Sequence, residues 1–417
     1  MSKSCEQIFS LISNRISSLD FLSLSRKKSN CFIRSRKMPF SEIIYFMLNS
    51  VKKTLQIELT NFMLSFTQHK NITKSAYSQA RMNLNAEAFI DLNNLLINKF
   101  YTDNTIKLWN QFRLVCIDSS TLELPKSNEI LKCFGHDKGT PMTRISVMYD
   151  PLNEMIIDSI IDSYYSSELY LAVNHFDKLK SNDLVIMDRG YGARWLFFLL
   201  LQKQVDFVIR IQKGFGKEID EFFVSEEFSK IIEVNELPEK SRKVHGKNTP
   251  FKFRVVKVKL DNGEVEVLAT SLLDEKKYPT QIFKELYFKR WGEETHLNHL
   301  KNHVEIGNFT GLSSLTIKQD FYANMLISNV QMLILQEAQK KLEKQSKKYE
   351  YKINKNLSLG YMKDRIIRVL KNNEHNKYEE LVKLFLIEPV PIRPRRKNPR
   401  NPKRTTKKYY INQKRSL

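Results

Sequence analysis

The chain has 417 residues, 68 of them Lys or Arg and 46 Asp or Glu, for a formal charge of +22. That length forms about two to four domains, and an apolar fraction of 41% excludes global disorder. The longest apolar run, Trp195 to Leu201, is far shorter than the roughly 20 residues of a spanning helix, so no membrane association is expected.

The first thirty residues lack a continuous hydrophobic signal core, which predicts a cytoplasmic protein. Cys5, Cys31, Cys116 and Cys133 form no Cys-x-x-Cys pair, so reduced thiols fit best. The excess of positive charge predicts a polyanionic partner, nucleic acid, and places the protein at the nucleoid when bound. Residues 391–417 hold eleven Lys or Arg and no acid, and residues 1–40 hold eight basic and two acidic residues. The two ends therefore carry 17 of the 22 net charges. With Pro391, Pro394, Pro399 and Pro402, the tail cannot pack a core; it is either a phosphate-contacting arm or a solubilising appendage.

Taken in chain order, residues 1–110 read as a helical DNA-binding region with a basic N-terminus. Ile43, Ile44, Met47, Leu48, Val51, Leu55, Leu59, Phe62 and Met63 recur at helical spacing from Phe40 onward. Asn71-Ile-Thr-Lys then caps a short helix presenting Lys74, Tyr77, Ser78, Gln79 and Arg81, either a DNA-reading helix or a polar bundle face. Residues 111–330 read as a mixed α/β core of about five strands. Leu114 to Ile117 is a buried strand ending at Asp118; Arg144 to Tyr149 pairs with Glu154 to Ile161 across Asp150-Pro-Leu-Asn153. A helix (Ser166 to Leu179), a strand (Leu184 to Met187) ending at Asp188, a helix (Ala193 to Gln202) and a strand (Asp206 to Ile211) follow. Residues 213–280 form a net-neutral β-rich insertion whose hairpin turns at Asp261-Asn262-Gly263. One helix spans Thr280 to about His303, and residues 331–417 are helical before the basic arm 391–417.

Asp118 and Asp188 end apolar strands, where open α/β sheets place catalytic groups, although an acid there is more often a turn former or cap. In an uninterrupted helix Tyr287, Arg290, Glu294 and Lys301 lie within roughly 60° on one face. Three carboxylates on two strand ends and a helix, in a basic chain, suggest two-metal phosphodiester transfer. Mg²⁺ needs only a few carboxylates when phosphate oxygens complete its shell.

Tyr287-x2-Arg290-x3-Glu294-x6-Lys301 resembles the Y-(2)-R-(3)-E-(6)-K signature of the insertion sequence four (IS-4) family of DDE transposases. Asp118-Ser-Ser-Thr-Leu-Glu-Leu-Pro125, Asp188-Arg189-Gly190-Tyr191 and Ala269-Thr-Ser-Leu272 are similar to that family as well, as are Asn308-Phe-Thr-Gly311 and Gln319-Asp-Phe-Tyr-Ala323. The resemblance implies an RNase H-like core with a β-rich insertion. It also implies cut-and-paste transposition dependent on Mg²⁺, with Mn²⁺ as substitute and two ions bound. The partners it implies are double-stranded DNA, as terminal inverted repeats and target, and a second copy forming a homodimer, with a hairpin intermediate. By that comparison Asp118, Asp188 and Glu294 are catalytic metal ligands, and Tyr287, Arg290, Lys301 and Arg189 contact DNA. Two rivals are another metal-dependent nuclease and a non-catalytic transposase-derived DNA-binding protein.

His296, His299 and His303 have ligand-like spacing, but in an uninterrupted helix they point away from Glu294 and read as surface or packing residues.

Overall fold

Nine strands join in one mixed sheet, flanked by helices, in a computed structural model. The structure describes residues 3–393 apart from 35, 50–52, 68–70, 104, 247–248, 262, 346–348 and 373. The chain divides into two compact units, Thr105–Leu300 and Met1–Asn104 with Lys301–Leu417.

The strands are β1 (Arg113–Glu123), β2 (His136–Asp137), β3 (Thr140–Asp150), β4 (Met155–Ser163), β5 (Asp183–Met187), β6 (Asp206–Ile211), β7 (Ser229–Val234), β8 (Phe251–Lys259) and β9 (Val265–Thr270). β3 lies antiparallel between β1 and β4, whereas β5 runs parallel to β1 and β6 parallel to β5. This order, an antiparallel meander followed by two parallel strands, is RNase H-like, as the sequence resemblance implies. The β3–β4 turn forms where predicted. Asp150 is fully buried there and accepts from the amides of Leu152 and Asn153 at 2.9 and 3.0 Å.

Two strand predictions need correction. β1 continues five residues beyond Asp118, because β3 keeps pairing with it as far as Glu123↔Met142 after β5 has ended. The insertion does not stand apart from a five-stranded sheet. β9 pairs antiparallel with β6 and β8 with β9, which extends the same sheet to nine strands. The β8–β9 register runs to Lys259↔Val265; the predicted turn residue Asn262 lies outside the described residues.

An ion pair fixes the register at the centre of the sheet. Arg113 and Asp183, the first residues of β1 and β5, are partners in the parallel register and almost fully buried. The guanidinium donates twice to the carboxylate, at 2.7 and 2.6 Å. A bidentate pair out of water tolerates little displacement, since either charge left alone there is costly. Beyond it Leu114, Cys116, Leu184 and Ile186 pack against Phe283, Leu286 and Tyr287 of the helix Ile282–Phe288.

The single predicted helix from 280 to 303 is interrupted. It comprises Ile282–Phe288, Trp291–His299 and a π-helical turn Leu300–Val304. At the junction the amides of Lys289, Arg290, Gly292 and Glu293 bond three residues back instead of four, which winds the chain tighter than an α-helix.

The other unit is helical. Lys3–Ser17, a helix not predicted from the sequence, buries Ile8, Phe9, Ile12 and Ile16 along one face. The helix Ser314–Glu343 packs on Glu87–Asp103, with a buried amide bond of 2.8 Å from Asn329 to Asn93. It lies wholly in this unit, so the boundary falls at residue 300 and not at 330. Arg81, predicted to face DNA, is fully buried. It donates to Gln319, Thr310, Thr316 and Asp320 at 2.6–2.9 Å. Lys74, Ser75, Ser78 and Gln79 of the same helix are exposed. Of the basic arm, residues 394–417 lie outside the described residues. Among the described residues, no helix is long and apolar enough to cross a membrane.

Candidate active site

The Arg113–Asp183 pair determines where the acids meet. Asp118 follows Arg113 by five residues and Asp188 follows Asp183 by five, so the parallel register, continued past Cys116↔Ile186, brings the two acids side by side. Side chains alternate along a strand, so both acids carry on the face lined by Cys116 and Ile186, just past the apolar helix. Each carboxylate is held by its own backbone. The Ser119 amide donates to Asp118 Oδ1 and the Gly190 amide to Asp188 Oδ1, both at 2.8 Å. A Cβ at Gly190 would sit 3.1 Å from Asp188 Oδ1, so glycine lets the turn close on the carboxylate. Buried Tyr191 donates to Ser119 Oγ at 3.1 Å, pinning β1 next to Asp118.

Behind Asp118 lies a buried polar row. His175 bridges Asp158 (2.7 Å) and Ser146 (3.1 Å), and Ser146 Oγ is 3.5 Å from the Asp118 carbonyl. The connectivity is that of a Ser-His-Asp triad, but Ser146 and His175 are fully buried and no substrate can reach the hydroxyl. The row ties β3, β4 and the residue after helix Glu168–Asn174 to the strand that carries Asp118.

Across from the strand ends stands the helix Trp291–His299. Burial pushes the Asp118 carboxyl up to about 6, the Ser119 amide opposes this, and the Asp188 charge adds to it. Glu293 has no solvent exposure, and neither of its carboxylate oxygens has a donor. Burial, followed by the neighbouring Asp118 charge, raises it well above the usual carboxylate range. The Asp118 and Glu293 carboxylates are within hydrogen-bond reach of each other, but two ionised carboxylates have no proton to share. Glu294 is different: its side chain is 36% exposed and accepts from Arg290 Nη2 at 2.8 Å.

The remaining sequence-predicted residues divide. Arg290 is buried, its guanidinium 5.5 Å from the Tyr287 ring and 5.3 Å from that of Trp291. Tyr287 is 5% exposed and its hydroxyl has no hydrogen-bond partner. Arg189 is exposed beside Asp188. Lys301 begins the other compact unit and is partly buried, so the structure gives it no place among these groups. His296 is buried and stacks on Tyr149 at 4.1 Å, and His299 is buried as well. Both belong to the packing of this helix.

The model of the transposase DDE domain matches residues 109–330, more than half the chain. The chain belongs to the DDE transposase family. It is accordingly a catalytic transposase acting in DNA transposition. Its structure is similar to that in "Cryo-EM structure of piggyBac transposase synaptic complex with hairpin DNA (SNHP)", with 12% identity, a TM-score of 0.46, and 92% of this chain and 80% of that chain covered. None of the curated proteins matches this chain.

DDE transposases generally use a divalent metal, and the transposase's donor set fits one. Among the described residues no three His, Cys, Asp or Glu side chains form a closed cage. Mg²⁺ rarely uses one: one or two carboxylates, substrate phosphates and water suffice. Two neighbouring strand-end carboxylates and a dry, donor-less carboxylate facing them are a hard-oxygen set lacking a positive charge. Glu293 is not among the residues predicted from the sequence. Its only signal there is the doublet Glu293-Glu294, in which the signature selects the second member.

Proposed function

We propose that this transposase is a cut-and-paste enzyme of the IS-4 type. It cleaves DNA at the terminal inverted repeats of its own element and joins the freed 3′-hydroxyl to target DNA. The observation that carries the reading is the pairing of Asp118 with Asp188 through the β1–β5 register, opposite a helix that bears Arg290 and two glutamates. Asp118, Asp188 and the carboxylate that the signature assigns to Glu294 hold Mg²⁺ or Mn²⁺, two ions when complete. Bound there, such ions supply Lewis acidity at the scissile phosphate.

The chain's own groups bind and orient the DNA. Arg290 keeps one nitrogen on Glu294 and turns its remaining donors to a phosphate oxygen. The Tyr287 hydroxyl, buried and unpartnered, donates to the same strand. Arg189 and, by its signature spacing, Lys301 add phosphate contacts. The packing of the helix on β1 keeps bulk water from Asp118. The N-terminal helices and the basic arm hold the DNA within a homodimer, and cleavage proceeds through a hairpin at the element's end.

The test is cleavage of DNA carrying the element's own ends with Mg²⁺ or Mn²⁺, followed by joining to a target plasmid. Asp118→Asn and Asp188→Ala abolish both steps on this reading. Cleavage without joined product identifies a nuclease, and full activity in either variant refutes the assignment.

A further inference from the structure

We infer that Glu293, and not Glu294, is the carboxylate by which the signature helix grips the catalytic cation, Glu294 serving instead to hold Arg290. The inference rests on the metal-dependent reading above. Adjacent helical residues point about 100° apart, so the two glutamates cannot face the strand ends together. Glu294 is committed elsewhere, through its 2.8 Å bond with Arg290, and is one-third exposed. Glu293 is wholly enclosed, has no donor on either oxygen and sits on the part of the helix that packs against β1 beside Asp118.

The winding of the helix accounts for the exchange. Four amides, those of Lys289, Arg290, Gly292 and Glu293, bond three residues back. Each 3₁₀ step turns about 20° further than an α-helical one, so four advance the chain by about 80°. Glu293 thereby reaches nearly the direction that Glu294 has in an uninterrupted helix. Gly292 permits the close approach: a Cβ there would lie 3.2 Å from Pro151 of the β3–β4 turn. A carboxylate in a dry site persists only beside a compensating charge, and a divalent cation between Glu293 and Asp118 compensates both.

The experiment measures Mn²⁺ binding to the full chain by electron paramagnetic resonance, without DNA, alongside binding of end DNA in EDTA. Asp118→Asn and Glu293→Gln are expected to weaken Mn²⁺ binding about tenfold or more. Glu293→Asp, which retains the charge, restores part of it and separates ligation from misfolding. Glu294→Gln is expected to keep Mn²⁺ affinity within about twofold and to weaken end-DNA binding through Arg290. A fall in Mn²⁺ affinity in Glu294→Gln equal to or greater than that in Glu293→Gln overturns the inference. If Asp118→Asn also leaves Mn²⁺ binding unchanged, the metal-dependent reading itself fails.

Discussion

Replacing Asp118 by Asn should stabilise the metal-free protein while destroying its activity. Burial, with the Asp188 charge, moves the Asp118 carboxyl from 3.8 to about 6. At 1.36 kcal/mol per unit this is a folding cost on the order of 3 kcal/mol for carrying the ionised group. The sign follows from the direction of the shift. Below about pH 4 the acid is protonated in both folded and unfolded chains, and the cost is absent. It grows as pH rises through 6 and is complete above that. Asn removes the charge and keeps an oxygen for the Ser119 amide, which now donates to Oδ1 at 2.8 Å. The assay is urea unfolding in EDTA at pH 4 and pH 8, read by tryptophan fluorescence, since Trp109, Trp195 and Trp291 all lie in the unit Thr105–Leu300. The variant should gain up to about 3 kcal/mol at pH 8 and close to nothing at pH 4. Adding Mg²⁺ should then stabilise the wild type selectively, because only it binds the ion well. Equal stability of the two proteins at pH 8, or a gain that persists at pH 4, refutes the reasoning.

Arg113→Met leaves Asp183 buried and unpaired; a loss of about 3–5 kcal/mol is expected in the same fluorescence assay, with a smaller loss when Asp183 is replaced by Leu as well. Gly292→Ala forces a methyl to within 3.2 Å of Pro151. It should lower end cleavage by about tenfold or more, because small misplacements at a reacting centre are costly, while the urea midpoint moves little; unchanged cleavage counts against the close approach. Deleting residues 391–417 removes eleven cations. The salt dependence of end-DNA binding should flatten by about 0.9 for each phosphate that the arm no longer neutralises, and an unchanged slope makes the tail a solubilising appendage only.

The parts of this site legible in the sequence are those written locally. Asp118 and Asp188 stand out because each follows a run of apolar residues, and the signature residues because their spacing is helical. What joins them is not local. The register that sets Asp118 beside Asp188 depends on Arg113 meeting Asp183, 70 residues away, and neither residue is unusual in its own segment. Arg81 reads as a surface cation because its partners, Gln319 and Asp320, lie 238 and 239 residues further on. By contrast, Lys3–Ser17 carries a readable signal, since Ile8, Phe9, Ile12 and Ile16 already form one helical stripe.

The sharpest failure of one-dimensional reading concerns helix phase. Spacing predicts which residues share a face only while the rise and twist per residue stay constant. Between Lys289 and Glu293 they do not, because the chain must turn past Pro151 with only Gly292 to give way. A change of about 80° is close to the angle between neighbouring residues, so overwinding one turn exchanges the directions of adjacent side chains while leaving the motif intact as text. A sequence with glutamates at both positions can undergo that exchange and keep an acid facing Asp118, whereas an apolar residue at 293 in the same geometry would leave the strand-end acids facing a hydrocarbon. The doublet and the tightened turn therefore belong together: a sequence with only one of the two glutamates would need the helix to hold one winding, and this one carries a carboxylate for either.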